Sequence, residues 1–144
     1  MSLLAAIRPD DWNIALFVHI LGAMLLVGAL VLVIAALAAR DIRLGYRALL
    51  LGVLPGWIVM RGAAEWIASK EHVNDLDPEP AWVGIGYSTA EPMLLLIIIA
   101  TVCSGLAVRR QQQGGALRGT ALVMTSIVLV AAFVAIWAMA TKPT

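Results

Sequence analysis

Four long apolar runs constrain this chain more than any other feature. They cover about residues 12–39, 47–69, 90–108 and 117–140 and take up most of the 144 positions. Each reaches the roughly 20 residues that a hydrocarbon layer about 30 Å thick requires of a helix. Inside a bilayer the backbone must satisfy its own hydrogen bonds, so every run is predicted to be helical. The expectation is one all-α domain over residues 1–144, an integral membrane four-helix bundle. Hydrophobic residues make up 62% and charged residues 13% of the chain, a balance in which the bilayer replaces the water-excluding core of a soluble domain. The net charge of +1, with no basic stripe interleaved with aromatics, points away from nucleic acid.

The links between the runs carry unequal charge. Arg40, Arg43 and Arg47 cluster around the first short link, 40–46, and Arg109, Arg110 and Arg118 around the third, 109–116. The longer middle link, 70–89, has Lys70 against Glu71, Asp75, Asp77 and Glu79. Basic residues favour the cytoplasmic side, so links one and three are expected there and both termini outside. Trp12, Trp66, Trp82, Tyr87 and Trp137 then fall at the outer interface, where amphipathic rings prefer to lie. The acidic pair Asp10–Asp11 precedes a run long enough to span, so the first segment reads as a spanning helix and not a cleaved signal.

Four titratable residues break the apolar pattern near one level: His19, Arg61, Glu65 and Glu91. Ionisable groups at membrane depth are costly, and they pair, face the bundle interior or mark a ligand or proton path. His19 is flanked on its helix face by Ala15, Gly22 and Ala23. Such a face allows close helix packing or leaves room for a flat ligand. Three roles stand open for it: a hydrogen bond to a neighbouring helix, contact with a quinone or proton, and axial ligation of haem or a metal. Arg61 and Glu65, at i and i+4, share a face and are expected to pair. Trp57, one turn before Arg61, is expected to offer its ring to the guanidinium. Pro55 predicts a kink in the same helix.

Ser88-x-x-Glu91 reads as a capping box at the start of the third run, with Pro92 in its first turn. Counted from the expected helix ends, the four titratable residues lie within roughly the outer 5–12 Å. A bis-His haem site would need a second intramembrane histidine, and none is present. Met93 stands at a level similar to His19, so a His–Met pair is the remaining haem arrangement within one chain. His72 with Asp75, Asp77 and Glu79 reads as a solvated acidic loop, and Cys103 as a small packing residue. No nucleophile–base set, phosphate loop or Cys-x-x-Cys pair occurs. Met24 and Met93 share the spacing of Arg40 and Arg109, a loose likeness of the two hairpins.

The run from Val18 to Gly28, with His19 followed by Gly22, Ala23 and Gly28, resembles the opening helix of small four-helix bacterial membrane proteins of unknown function. It is more distantly similar to the membrane domain of the copper-resistance D family. The resemblance covers the first helix and, loosely, the four-span layout. It implies a bacterial inner-membrane protein and singles out His19. The methionines are dispersed, with no Met-x-x-Met. The functional expectation is a non-enzymatic membrane subunit or binding module, with an outer-leaflet site for a lipid or quinone. It would pack against other membrane proteins or a second copy. The alternatives are a haem- or quinone-dependent redox protein using His19, and a small homodimeric transporter. The last is disfavoured because no charge sits at the midplane.

Overall fold

A computed structural model of the protein describes residues 10–71, 81–111 and 115–141. Helix α1 covers Asp10–Ala38. A tight turn leads into α2, Ile42–Ala48, which continues through a π-helical turn, Leu49–Val53, into α3, Leu54–Glu71. Helix α4 covers Ala81–Arg109 and α5 covers Ala116–Thr141. Four stretches are long and apolar enough to cross a membrane: Ile14–Ala38, Ile42–Lys70, Val83–Arg109 and Ala116–Thr141. That is the make-up of a multi-pass membrane protein.

Buried residues recur at spacings of three and four, as expected of one face of a helix. Leu26, Leu30, Val33 and Leu37 face inward on α1, Met93, Ile97, Ala100 and Ala107 on α4, and Ala121, Val128 and Ala132 on α5. These join Leu49 and Val53 of the π turn in one continuous core. The opposite faces expose large apolar side chains, among them Phe17, Met24, Leu51, Leu95, Val130 and Phe133. Lipid is the natural cover for such surfaces.

The helices alternate in direction. One end of the bundle, where α1 and α4 begin and α3 and α5 finish, is the terminal end. The other carries both short turns and is the arginine end. Helices α1 and α3 approach backbone to backbone, because glycines stand at the crossing. A Cβ added at Gly22 would meet the Met60 nitrogen at 2.6 Å, and one at Gly56 would meet the Leu26 nitrogen at 2.8 Å. Helices α4 and α5 form the second close pair, while α3 and α4 touch little.

The π turn has a local cause. Pro55 has no N–H for the Leu51 carbonyl one turn back, and its ring crowds that carbonyl. The chain widens the preceding turn, and Leu54 N–H donates to the carbonyl of Leu49, five residues back. The expected distortion near Pro55 is therefore present as one extra residue in the helix.

Two boundaries differ from the sequence expectation. The second span starts at Ile42, not near 47, because Asp41 caps it: its Oδ1 accepts from Leu44 N–H at 3.0 Å. The larger correction concerns α4, which starts at Ala81, nine residues before the expected 90. Ser88 and Thr89 are thus inside the helix, and no capping box forms. Ser88 Oγ donates to the Ile85 carbonyl, and Thr89 Oγ1 to the Ile85 and Gly86 carbonyls. Pro92 also lies within the helix.

Candidate functional site

The weak contact between α3 and α4 opens a cavity in the half of the bundle toward the terminal end. Its volume is about 290 Å³, and all four spans contribute to it. Leu26, Met93 and Ala132, members of the core, line it together with Ala23, Met60 and Ala64. The polar groups on the lining come from His19, Arg61, Tyr87 and Thr89.

His19 owes its place to the glycine crossing one turn along. With Gly22 against the Met60 backbone, His19 Nδ1 lies 2.9 Å from the Met60 carbonyl oxygen. A carbonyl only accepts, so Nδ1 carries the hydrogen and donates. With Nδ1 so engaged, Nε2 is the ring nitrogen left for a ligand. The small-residue face is divided in use: Gly22 serves close packing, Ala23 lines the cavity, and Ala15 is buried.

Arg61, the residue after Met60, lines the same cavity. Its Nη1 donates to Glu65 Oε1 in the expected i, i+4 ion pair. The side chain of Arg61 is one-fifth exposed and that of Glu65 about half exposed (20% and 49%), so the pair is buried toward the arginine and open toward the carboxylate. The aromatic partner is not Trp57. The guanidinium carbon sits 4.6 Å from the centroid of the Tyr87 ring on α4. Trp57 Nε1 instead donates to the Ala90 carbonyl at 3.2 Å. Both contacts tie α3 to α4 beside the cavity.

Glu91 takes no part in this arrangement. It is ten residues into α4, about 15 Å along the axis, one turn past Tyr87, the residue that meets Arg61, and its side chain is exposed. Neighbouring Ala90 is buried and Met93 is 2% exposed, so Glu91 falls on the flank of the inward stripe. The structure thus brings His19, Arg61 and Met93 onto one cavity, holds Glu65 behind Arg61 as its ion-pair partner, places Trp57 at the edge through Ala90, and leaves Glu91 outside. Tyr87, Thr89 and the Met60 carbonyl were not foreseen. The spacing Val83, Tyr87, Ala90, Met93, Ile97 carries the signal for Tyr87, since it extends the buried stripe of α4 upward.

The cavity is at the lower edge of the roughly 300–1,000 Å³ typical of small-molecule sites. It suits one ring-sized head or a stretch of single acyl chain. A porphyrin, a flat ring of four pyrroles, requires wall side chains to move, although His19 and Met93 both line the space. Among the described residues, no three His, Cys, Asp or Glu side chains gather to hold a metal ion. His72, Asp75, Asp77 and Glu79, and the side chains of Trp12 and Trp82, lie outside the described residues. Comparison with protein-family models, with curated proteins and with solved structures finds no match. The chemistry of the site therefore carries the functional reading.

Proposed function

We propose that this chain is a non-enzymatic binding module or subunit of a bacterial cytoplasmic membrane, with both termini outside and the cavity in the outer leaflet. Its ligand is an amphiphile with an uncharged head, of the quinone, quinol or hydroxylated lipid class. The observation that carries this reading is the apolar cavity with His19 and Arg61 both on its lining. Glu65 already balances the charge of Arg61, so a second anion would enter at the expense of that pair. An uncharged head does not compete. Arg61 retains N–H donors beyond the one given to Glu65, and His19, when neutral, accepts at Nε2. A head bearing one carbonyl-type oxygen and one hydroxyl meets both groups. Tyr87, stacked on Arg61, keeps the guanidinium plane fixed.

The arginine-rich turns support the orientation. Glu91 supports a role as a subunit, because a carboxylate exposed at this level needs a donor from a partner helix or a head group. Native mass spectrometry from mild detergent tests the ligand. The parent protein is expected to carry a bound amphiphile that His19→Phe loses while remaining folded, since phenylalanine keeps the ring and removes both nitrogens. Equal retention by the variant would make His19 a packing residue. For orientation, in a Cys103→Ala background, Ser69→Cys should react with an impermeant thiol reagent on intact cells and Arg43→Cys should not. The reverse pattern would move the cavity to the inner leaflet.

A further inference from the structure

The arginine end holds a second concavity, independent of the first and lined by different residues. It is a cleft of about 780 Å³ between the turn after α1 and the end of α4, lined by Arg40, Asp41, Arg43 and Gln111, with Ile42 and Val108 on its apolar rim. We propose that this cleft binds the phosphate of an anionic phospholipid.

Three observations converge on it. The first is a surplus of positive charge. Among the described residues the one ion pair is Arg61–Glu65, at the other half of the bundle, so neither Arg40 nor Arg43 is held in an ion pair. Asp41 is the one carboxylate on the lining, with Oδ1 accepting from the Leu44 N–H, so the cleft carries two cations against one anion. Of the other arginines at this end none lines the cleft, and Arg118 is committed elsewhere: Nη1 donates to the Leu37 carbonyl at 2.6 Å, against the negative end of the α1 dipole. Arg40 and Arg43 remain as the cations facing the cleft.

The second observation is backbone strain. Helix α1 closes with Asp41 N–H on the Ala36 carbonyl (2.8 Å) and Arg40 N–H on the Leu37 carbonyl (3.2 Å). This closure places its penultimate residue in the left-handed region, where glycine is the usual choice. Arg40 occupies it, at φ 65°. Gln111 does the same after α4, at φ 52°. Each costs about 1–2 kcal/mol relative to glycine. These are the only two non-glycine residues with positive φ among the described residues, and both line this cleft. Strain of this kind persists where the side chain has a use.

The third is location. The cleft lies at the ends of two spanning helices, where the phosphate layer of a bilayer falls, and its rim is apolar enough to admit the glycerol end of a lipid. Guanidinium forks match phosphate oxygens in geometry as well as charge, and the Gln111 amide offers further donors.

The test uses delipidated, full-length protein in mild detergent with equimolar phosphatidylglycerol and phosphatidylcholine, read by native mass spectrometry. The parent protein is expected to retain phosphatidylglycerol preferentially, by roughly tenfold, the value of one charge-assisted contact. Arg40→Gln with Arg43→Gln should abolish the preference, and Arg47→Gln, at the same end but off the cleft, should leave it. Arg40→Gly separates binding from folding: it should lose the preference while melting at an equal or higher temperature, because strain is relieved. Equal retention of the two lipids by the parent overturns the proposal, as does a preference that survives the double substitution or falls equally in Arg47→Gln. Loss of thermal stability in Arg40→Gly would make Arg40 a structural residue. Displacement of the lipid by millimolar inorganic phosphate would assign the cleft to a soluble anion instead.

Discussion

The two halves of the bundle are built from the same four helices and differ in what fills the space between them. Toward the arginine end, Leu30, Val33, Leu37, Leu49, Val53 and Ile97 are sealed from solvent, and the helices meet in a continuous core. Toward the terminal end, α3 and α4 part, and polar groups from α1, α3 and α4 line the gap. The difference originates in a few positions. Small residues at Gly22 and Ala23 bring α1 to α3 without filling the middle, and the π turn before Pro55 sets which side of α3 faces inward beyond it. A closed half supplies rigidity, and an open half supplies a site held on rigid elements.

The sharpest way to break this comparison is to turn the open half of α3 against the closed half. Inserting one alanine after Ile58, in the regular part of α3, would rotate Arg61 and the residues beyond it by about 100° relative to those before. The core would hold one part, and Arg61 would swing off the cavity. The variant should lose its bound amphiphile entirely and melt well below the parent. Retention of both would show that the facing of Arg61 into the cavity has no role in binding.

Packing in the closed half comes next in size. Leu30→Ala should cost about 2 kcal/mol, the low part of the range for buried leucine, because the unfolded reference stays in lipid. Ligand retention should persist wherever the protein is folded, since Leu30 does not line the cavity. A steric-trap or urea titration measures the cost, and a loss of ligand at full folding would mean that the halves are coupled.

The Arg61–Glu65 pair should show a smaller effect. The carboxylate is about half exposed, so a double-mutant cycle with Arg61→Leu and Glu65→Leu should give a coupling of about 0.5–1 kcal/mol, reduced by solvent. Additive single effects would mean that the arginine is held by Tyr87 or a ligand instead. The smallest change belongs to Ser104, whose Oγ is buried without a partner in the closed half. Ser104→Ala should stabilise slightly, by up to about 1 kcal/mol. A loss of stability would point to a buried water on that hydroxyl.

Much of the closed half was legible in the sequence, because apolar periodicity and length decide which residues a spanning helix buries. Arg61–Glu65 was legible for a similar reason: i, i+4 geometry is local. The start of α4 was not. Gly84, Gly86, Ser88, Thr89 and Pro92 all favour a loop or cap by local propensity, and the burial of Val83 and Ala90, with Tyr87 partly buried beside them, outweighs them. The exposed position of Glu91 and the Tyr87–Arg61 stack both follow from that extension. The partner of His19 is legible as a carboxylate or carbonyl on a neighbouring helix, and it is the carbonyl of Met60. Its acceptor is a backbone carbonyl, which every residue possesses, and only the depth of the Gly22 crossing selects Met60.

The central claim, that the open half is a ligand site, is tested most directly by photolabelling. An azido-substituted quinone with a short alkyl tail, irradiated with the protein in mild detergent, should crosslink to cavity residues such as Ala23, Met60 and Met93. Excess unlabelled quinone should suppress that labelling, and Ala23→Leu, which fills the cavity, should abolish it. Labelling spread over the outward residues Phe17, Phe133 and Trp137, unaffected by competitor or by Ala23→Leu, would contradict the claim and reduce the cavity to a packing defect.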